Sequence, residues 1–149
     1  MVEPLSIAAS ALGALDVGAR VSTGILDIIR KWKNAPHEIV ALHNEITDLR
    51  VVLDQMVYAY QILSDGLAYQ DAGFVAAVHD HLEKALCYLK SLQTFSMELQ
   101  HLKGARRWKR WLGSQNEVNS MRANLNIIRT ELSQLFLAQN MFVSLHPGI

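Results

Sequence analysis

The sequence predicts an all-α protein: an antiparallel four-helix bundle with a short basic connecting segment before the last helix. Three observations carry this prediction. Three long stretches alternate apolar residues at steps of three and four, as helices with one buried stripe do. No hairpin dipeptide such as Asn-Gly lies between alternating runs. Short breaks rich in Asn, Pro, Gly and Ser divide the chain into helix-sized pieces, which suits antiparallel neighbours. Those breaks, and apolar faces wider than a two-stranded seam, disfavour a single long coiled coil.

The first helix is expected from Pro4, which suits a first helical turn, to about Lys33, where Asn34-Ala35-Pro36 breaks it. Leu5 to Leu15 carries no charge. Ser6, Ser10, Ala14, Gly18 and Ser22 recur every four residues, a spacing that lets helix backbones approach closely. Leu5, Leu12, Leu15, Ala19, Leu26 and Ile29 form a second, core-like track. Val2-Glu3-Pro4 lacks the basic residues of a secretory signal. Asp16 and Arg20 interrupt the run before the roughly 20 apolar residues of a spanning helix. The expected location is therefore cytoplasmic.

In the second helix, Ile39, Leu42, Ile46, Leu49, Leu53, Met56, Tyr60 and Leu63 form an unbroken seam, ended by Ser64-Asp65-Gly66. Asp71 is the expected N-cap of the third helix, whose seam is Val75, Val78, Leu82, Ala85, Leu89, Leu92, Ser96 and Leu99. Leu86, Tyr88 and Phe95 widen its apolar face, and the pattern stops near Gly104. A basic stretch closed by Gly113 follows, and Ser114-Gln115-Asn116-Glu117 reads as a capping box opening the last helix. Val118, Met121, Leu125, Ile128, Leu132, Leu135 and Phe142 continue the seam, with Gln139 its polar exception. The three seamed helices are expected to wrap the first. Residues 1–145 form one domain, and 146–149 read as a tail or the start of a linker.

Composition narrows the function. The 149 residues suit one domain with a real core, and half of them are hydrophobic, which excludes a disordered chain. Zero net charge leaves no global pull toward nucleic acid or anionic lipid, so any such attraction is local. The single cysteine, Cys87, excludes an internal disulfide and is expected to be a small buried hydrophobe. His79 and His81 project from different sides of a helix, and His37-Glu38 with His43 misses the spacing of a zinc helix. There is no phosphate-binding loop, nucleophile elbow or CxxC pair. An enzyme is not expected, nor a metal or cofactor.

The opening Met1-Val2-Glu3-Pro4-Leu5-Ser6-Ile7-Ala8-Ala9-Ser10 resembles the start of fungal HeLo-like N-terminal domains, which precede NACHT and other signalling NTPases or repeat domains. The resemblance continues through Trp32-Lys33-Asn34-Ala35-Pro36-His37-Glu38-Ile39, then Leu42, Glu45, Leu49 and Val52-Leu53, and a basic Trp-containing stretch before the last helix. It implies a non-enzymatic effector bundle of fungal cell-death, incompatibility and innate-defence signalling. Oligomerisation by an attached receptor domain would release the first helix toward the plasma membrane. This chain departs from that pattern in showing no NTPase and in carrying Asp16 and Arg20 in the first segment.

Each candidate surface has two readings. Leu5, Ile7, Leu12 and Leu15 suit either a core helix or one that inserts in lipid; Ser6, Ser10, Ala14, Gly18 and Ser22 pack it in either state. Glu3 would form an acidic ring in an assembled pore, or simply favour the helix N-terminus. Lys103, Arg106, Arg107, Trp108, Lys109, Arg110 and Trp111 form either a solvated basic corner or a patch for anionic headgroups, where tryptophan suits the interface. Nucleic acid is the weaker partner, because the patch is short and the domain neutral. Two functions remain open: a self-associating effector acting on anionic phospholipid membranes, and a homotypic or adaptor-binding scaffold that never enters lipid.

Overall fold

The computed structural model describes residues 4–62 and 72–145, with side chains over 7–60 and 73–138. These residues form four helices, α1 (Pro4–Lys31), α2 (His37–Ile62), α3 (Ala72–His101) and α4 (Ala105–Leu145). The expectations for Glu3, Leu63 to Asp71 and residues 146–149 lie outside them, as do the side chains of Leu5, Ser6, Gln139 and Phe142.

Two turns set the helix ends. Asn34 takes a left-handed φ of 66°, which asparagine tolerates better than most residues, and the Ala35 N–H donates to the Trp32 carbonyl at 3.1 Å. Between α3 and α4, Gly104 adopts a φ of 55°, and its carbonyl accepts the Trp108 N–H at 3.2 Å. Gly104 thereby starts α4 ten residues earlier than a cap at Ser114 would allow.

Consequently the basic segment is not a connection; it is the first turns of α4. Ser114 does not cap. It is buried in the helix interior, where its hydroxyl accepts a hydrogen bond from Arg110. Arg, Lys, Trp and Leu all tolerate helix, and only Gly113 opposes it, at about 1 kcal/mol relative to alanine. The burial of Trp111 outweighs that cost.

The helices form a four-cornered ring. Both α1 and α4 pack along α2 and α3, so α1 and α4 face each other across one diagonal. Glu38 meets Gln115 and Glu45 meets Arg122, so α2 and α4 run in the same sense. Asp27 meets Gln100 and Gly18 lies against Leu89, so α1 and α3 do too. Glu98 with Arg110 and His81 with Glu131 make α3 and α4 antiparallel. One end of the bundle therefore gathers the ends of α1 and α3 with the starts of α2 and α4.

The seams of α2 and α3 are buried as expected, from Ile39 to Tyr60 and from Val75 to Leu99; Ser96 satisfies its hydroxyl on the Gln93 carbonyl at 2.9 Å. In α4, Val118, Met121, Leu125, Ile128 and Leu132 are buried and Leu135 is half-buried.

Helix α1 corrects two expectations. It is not wrapped by three partners but occupies a corner, with one face outward. Its buried face is Ile7, Ala8, Ala11, Ala14, Gly18, Val21, Ser22, Ile25 and Ile28. Of the expected core track, Leu12 is 48% exposed, and Leu15, Ala19, Leu26 and Ile29 are only half-buried. Proximity is the reason. A Cβ on Gly18 would lie 3.3 Å from Arg50 Cγ, so α1 nests too close to α2 for large side chains between them.

Polar clasps tie the ring. Arg122 donates to both Glu45 oxygens, at 2.9 and 2.8 Å, and to Asn119 Oδ1 at 2.9 Å. The Glu45 carboxylate holds the Arg122 guanidinium even more firmly protonated than usual. On α1, Gln100 donates to Asp27 Oδ2 at 3.2 Å, and Lys31 Nζ lies 3.2 Å from the same oxygen. Gln100 first and Lys31 second pull the Asp27 carboxyl below its ordinary 3.8. A depressed carboxyl stabilises the fold above its unfolded pKa, and that contribution is lost as pH falls through the folded value. Asp27→Asn should lower the urea midpoint at neutral pH, and its gap from the parent protein should close below about pH 3.8. A gap independent of pH would remove this account of the clasp.

Candidate functional site

At the gathered end, the basic segment divides by side. Trp111 is 1% exposed and packs on Phe95, with ring centroids 6.3 Å apart. Arg107 is 6% exposed. Its Nε donates to the Leu99 carbonyl at 3.1 Å, satisfying one of the last acceptors of α3, and its guanidinium lies 5.8 Å from the centre of the Trp32 ring. Arg110 pairs with Glu98 at 2.6 Å and lies over Phe95 at 5.9 Å. Three members of the expected headgroup patch, Arg107, Arg110 and Trp111, are thus engaged within the protein: helical periodicity turns them toward α3 and the end of α1.

The remaining four, Lys103, Arg106, Trp108 and Lys109, are exposed, as is the ion-paired Arg110. Trp108, 45% exposed, meets Trp32 edge-to-face at 5.9 Å and 81°. Two residues join them that sequence reasoning passed over. Leu112, 53% exposed, follows Trp108 by one helical turn, and Lys33, next to Trp32 in sequence, is exposed at the same end. The i, i+4 step from Trp108 to Leu112 was the available signal, readable once the segment is known to be helical.

The second candidate surface is the outward face of α1. Ala9 and Leu12 are exposed, Gly13, Leu15 and Ala19 are half-buried, and together with Asp16 they line a shallow apolar depression. Asp16 and Arg20 form an exposed ion pair at 3.2 Å, one turn apart. Of the other residues expected on α1, Ile7, Ala14, Gly18 and Ser22 are buried and Ser10 is half-buried. The two surfaces do not come together. Twenty residues of helix separate Leu12 from Trp32, about 30 Å along the bundle axis.

Other side chains behave independently. Cys87 is exposed rather than buried, because Ala85 and Leu89 take the inward positions and a residue two steps from either turns outward. His79 faces Glu83 on its own helix at 3.6 Å, whereas His81 reaches Glu131 on α4 at 3.0 Å. Among the described residues no cluster of three His, Cys, Asp or Glu side chains could hold a metal. Nor is any helix among them long and apolar enough to cross a membrane.

Comparison with protein-family models, characterised proteins and solved structures finds no significant match to the chain. Fold and surface define an all-α four-helix bundle with a cationic, aromatic end and an apolar-faced first helix.

Proposed function

We propose that the chain is a HeLo-like, non-enzymatic effector domain of a fungal cell-death or innate-defence signalling protein, one that oligomerises and acts on anionic membranes through its N-terminal helix. The resemblance of the opening residues and of Trp32 to Ile39 suggests the class. The observation that carries the mechanism is the make-up of α1: between Leu5 and Leu15 it has no charge, a small-residue face in the core, and an apolar strip turned outward. A helix with apolar residues on both sides keeps one face satisfied whichever partner it takes. Asp16 and Arg20 set its limit. Eleven residues give about 16 Å of helix against a hydrocarbon core of about 30 Å, so α1 enters one leaflet rather than spanning. A NACHT-type or repeat domain in the native polypeptide would supply the oligomerisation, and self-association of released α1 helices the assembly.

The test is dye release from phosphatidylserine-containing vesicles, with the chain fused to an inducible dimerisation module. Leakage is expected only on induction, and only while Met1 to Leu15 are present. A chain that neither binds nor permeabilises the vesicles after induced assembly would sink the proposal. The exposed Asp16–Arg20 pair favours a second reading, a scaffold whose α1 strip contacts another protein in water. That reading expects self-association sensitive to Leu12→Ser with no vesicle binding at all.

A further inference from the structure

We infer that the bundle docks on anionic membranes through a corner made of Trp108 and Leu112 with Lys109 beside them on α4, with Lys33, Lys103 and Arg106 exposed at the same end, and that α1 points away from the bilayer while it is docked. This rests on the membrane reading above but does not follow from it, because the corner and the N-terminal half of α1 are different surfaces.

Charge selects the occupant. Lys33, Lys103, Arg106 and Lys109 make no ion pair among the described residues. Of the nearby acids, Glu98 is neutralised by Arg110 and Asp27 by Lys31, while Glu38, which accepts from the neutral Gln115, and the exposed Glu117 keep their charge. The four unpaired cations outnumber these two carboxylates, so the end carries a net positive charge. At the same end stand a tryptophan and a leucine one turn apart, each about half exposed, with Lys109 next to both on the helix. Tryptophan suits the headgroup level and leucine the acyl boundary beneath it. Leucine has no comparable role against a phosphodiester strand, where stacking and cation contacts carry affinity. Two side chains also fall far short of the roughly 800 Å² per partner of a stable protein interface.

Trp108 is held in place before it meets lipid. Trp32 contacts both the Trp108 ring and the Arg107 guanidinium, and Arg107 is itself fastened to the Leu99 carbonyl. Docking thus orders few side chains and loses little entropy.

Orientation follows from topology. The corner belongs to α4 and to the end where α1 finishes, while α1 lies diagonally across from α4. With the bundle upright, Leu12 stands about 30 Å above the corner. With it lying on the outward side of α4, the strip of α1 faces water. Docking and α1 insertion are separate events in either pose.

Sedimentation of the full chain with phosphatidylcholine vesicles, with and without phosphatidylserine, tests this without forced assembly. Trp108→Ser with Leu112→Ser should weaken binding to the anionic vesicles about tenfold. Lys109→Gln alone should weaken it about fivefold. Met97→Ser with Ile127→Ser, comparably exposed residues elsewhere, should change nothing. An environment-sensitive fluorophore on Leu12→Cys, in a Cys87→Ser background, should keep its aqueous emission when the chain docks. Binding unaffected by the Trp108 and Leu112 changes would overturn the corner and leave the membrane proposal standing. A fluorophore that enters lipid as the chain binds would overturn the separation of steps. Displacement of the vesicles by a single-stranded oligonucleotide at equal phosphate would replace lipid with nucleic acid. Absence of any binding without assembly would overturn the docking corner, while leakage after induced assembly decides the membrane proposal separately.

Discussion

Replacing Trp111 by alanine should destabilise the bundle by about 3–5 kcal/mol, because an enclosed indole leaves a cavity that Phe95 and the α3 backbone fill only in part. The same change at Trp108, three residues away in sequence, should cost about 1 kcal/mol, the worth of its edge-to-face contact with Trp32. Urea unfolding followed by far-ultraviolet circular dichroism measures both. Vesicle binding should rank them the other way: Trp108→Ala stays folded and loses affinity, while any Trp111→Ala protein that remains folded keeps it. Equal destabilisation by the two changes would mean that the segment does not divide into an inner and an outer side, and the proposed corner would go with it.

Ala14→Leu should cost about 3 kcal/mol, since it adds three heavy atoms at a fully enclosed position where α1 packs into the core. Under the proposed function, leakage should move oppositely to stability. The folded seat of α1 is weakened while the helix itself becomes more apolar, so permeabilisation should need less assembly than in the parent chain. Gly18→Ala is the control for backbone effects. It gains about 1 kcal/mol of helix propensity, offset by a 3.3 Å approach to Arg50 Cγ, an atom near the root of its side chain, so its unfolding midpoint should scarcely move. Loss of stability in Ala14→Leu together with reduced leakage would argue that α1 acts only from within the bundle.

Legibility differed between helices for a physical reason. In α2 and α3 polar residues separate the apolar ones, so period alone identified the buried side, from Ile39 to Tyr60 and from Val75 to Leu99. In α1 almost every residue near the N-terminus is apolar. Period then carries no contrast, and packing against α2 and α3 decides, which is why Ile7, Ala14 and Gly18 face inward and Leu12 outward. The basic segment failed differently: its cations were all read as facing outward, to solvent or to lipid headgroups, yet Arg107 is held by Leu99 and Trp32, and Arg110 by Glu98.

The sequence by itself determined the helical class, the seams of α2, α3 and α4, and the residue types at each candidate surface, because these follow from local period, breaks and composition. The tertiary structure alone decided which side of α1 is buried, that α4 begins at Ala105, and which cations remain free at its start. Those outcomes depend on partners such as Glu45 for Arg122, 77 positions away, and Phe95 for Trp111 on a neighbouring helix. No local pattern encodes the choice of such a partner; it is made only when the helices come within packing distance.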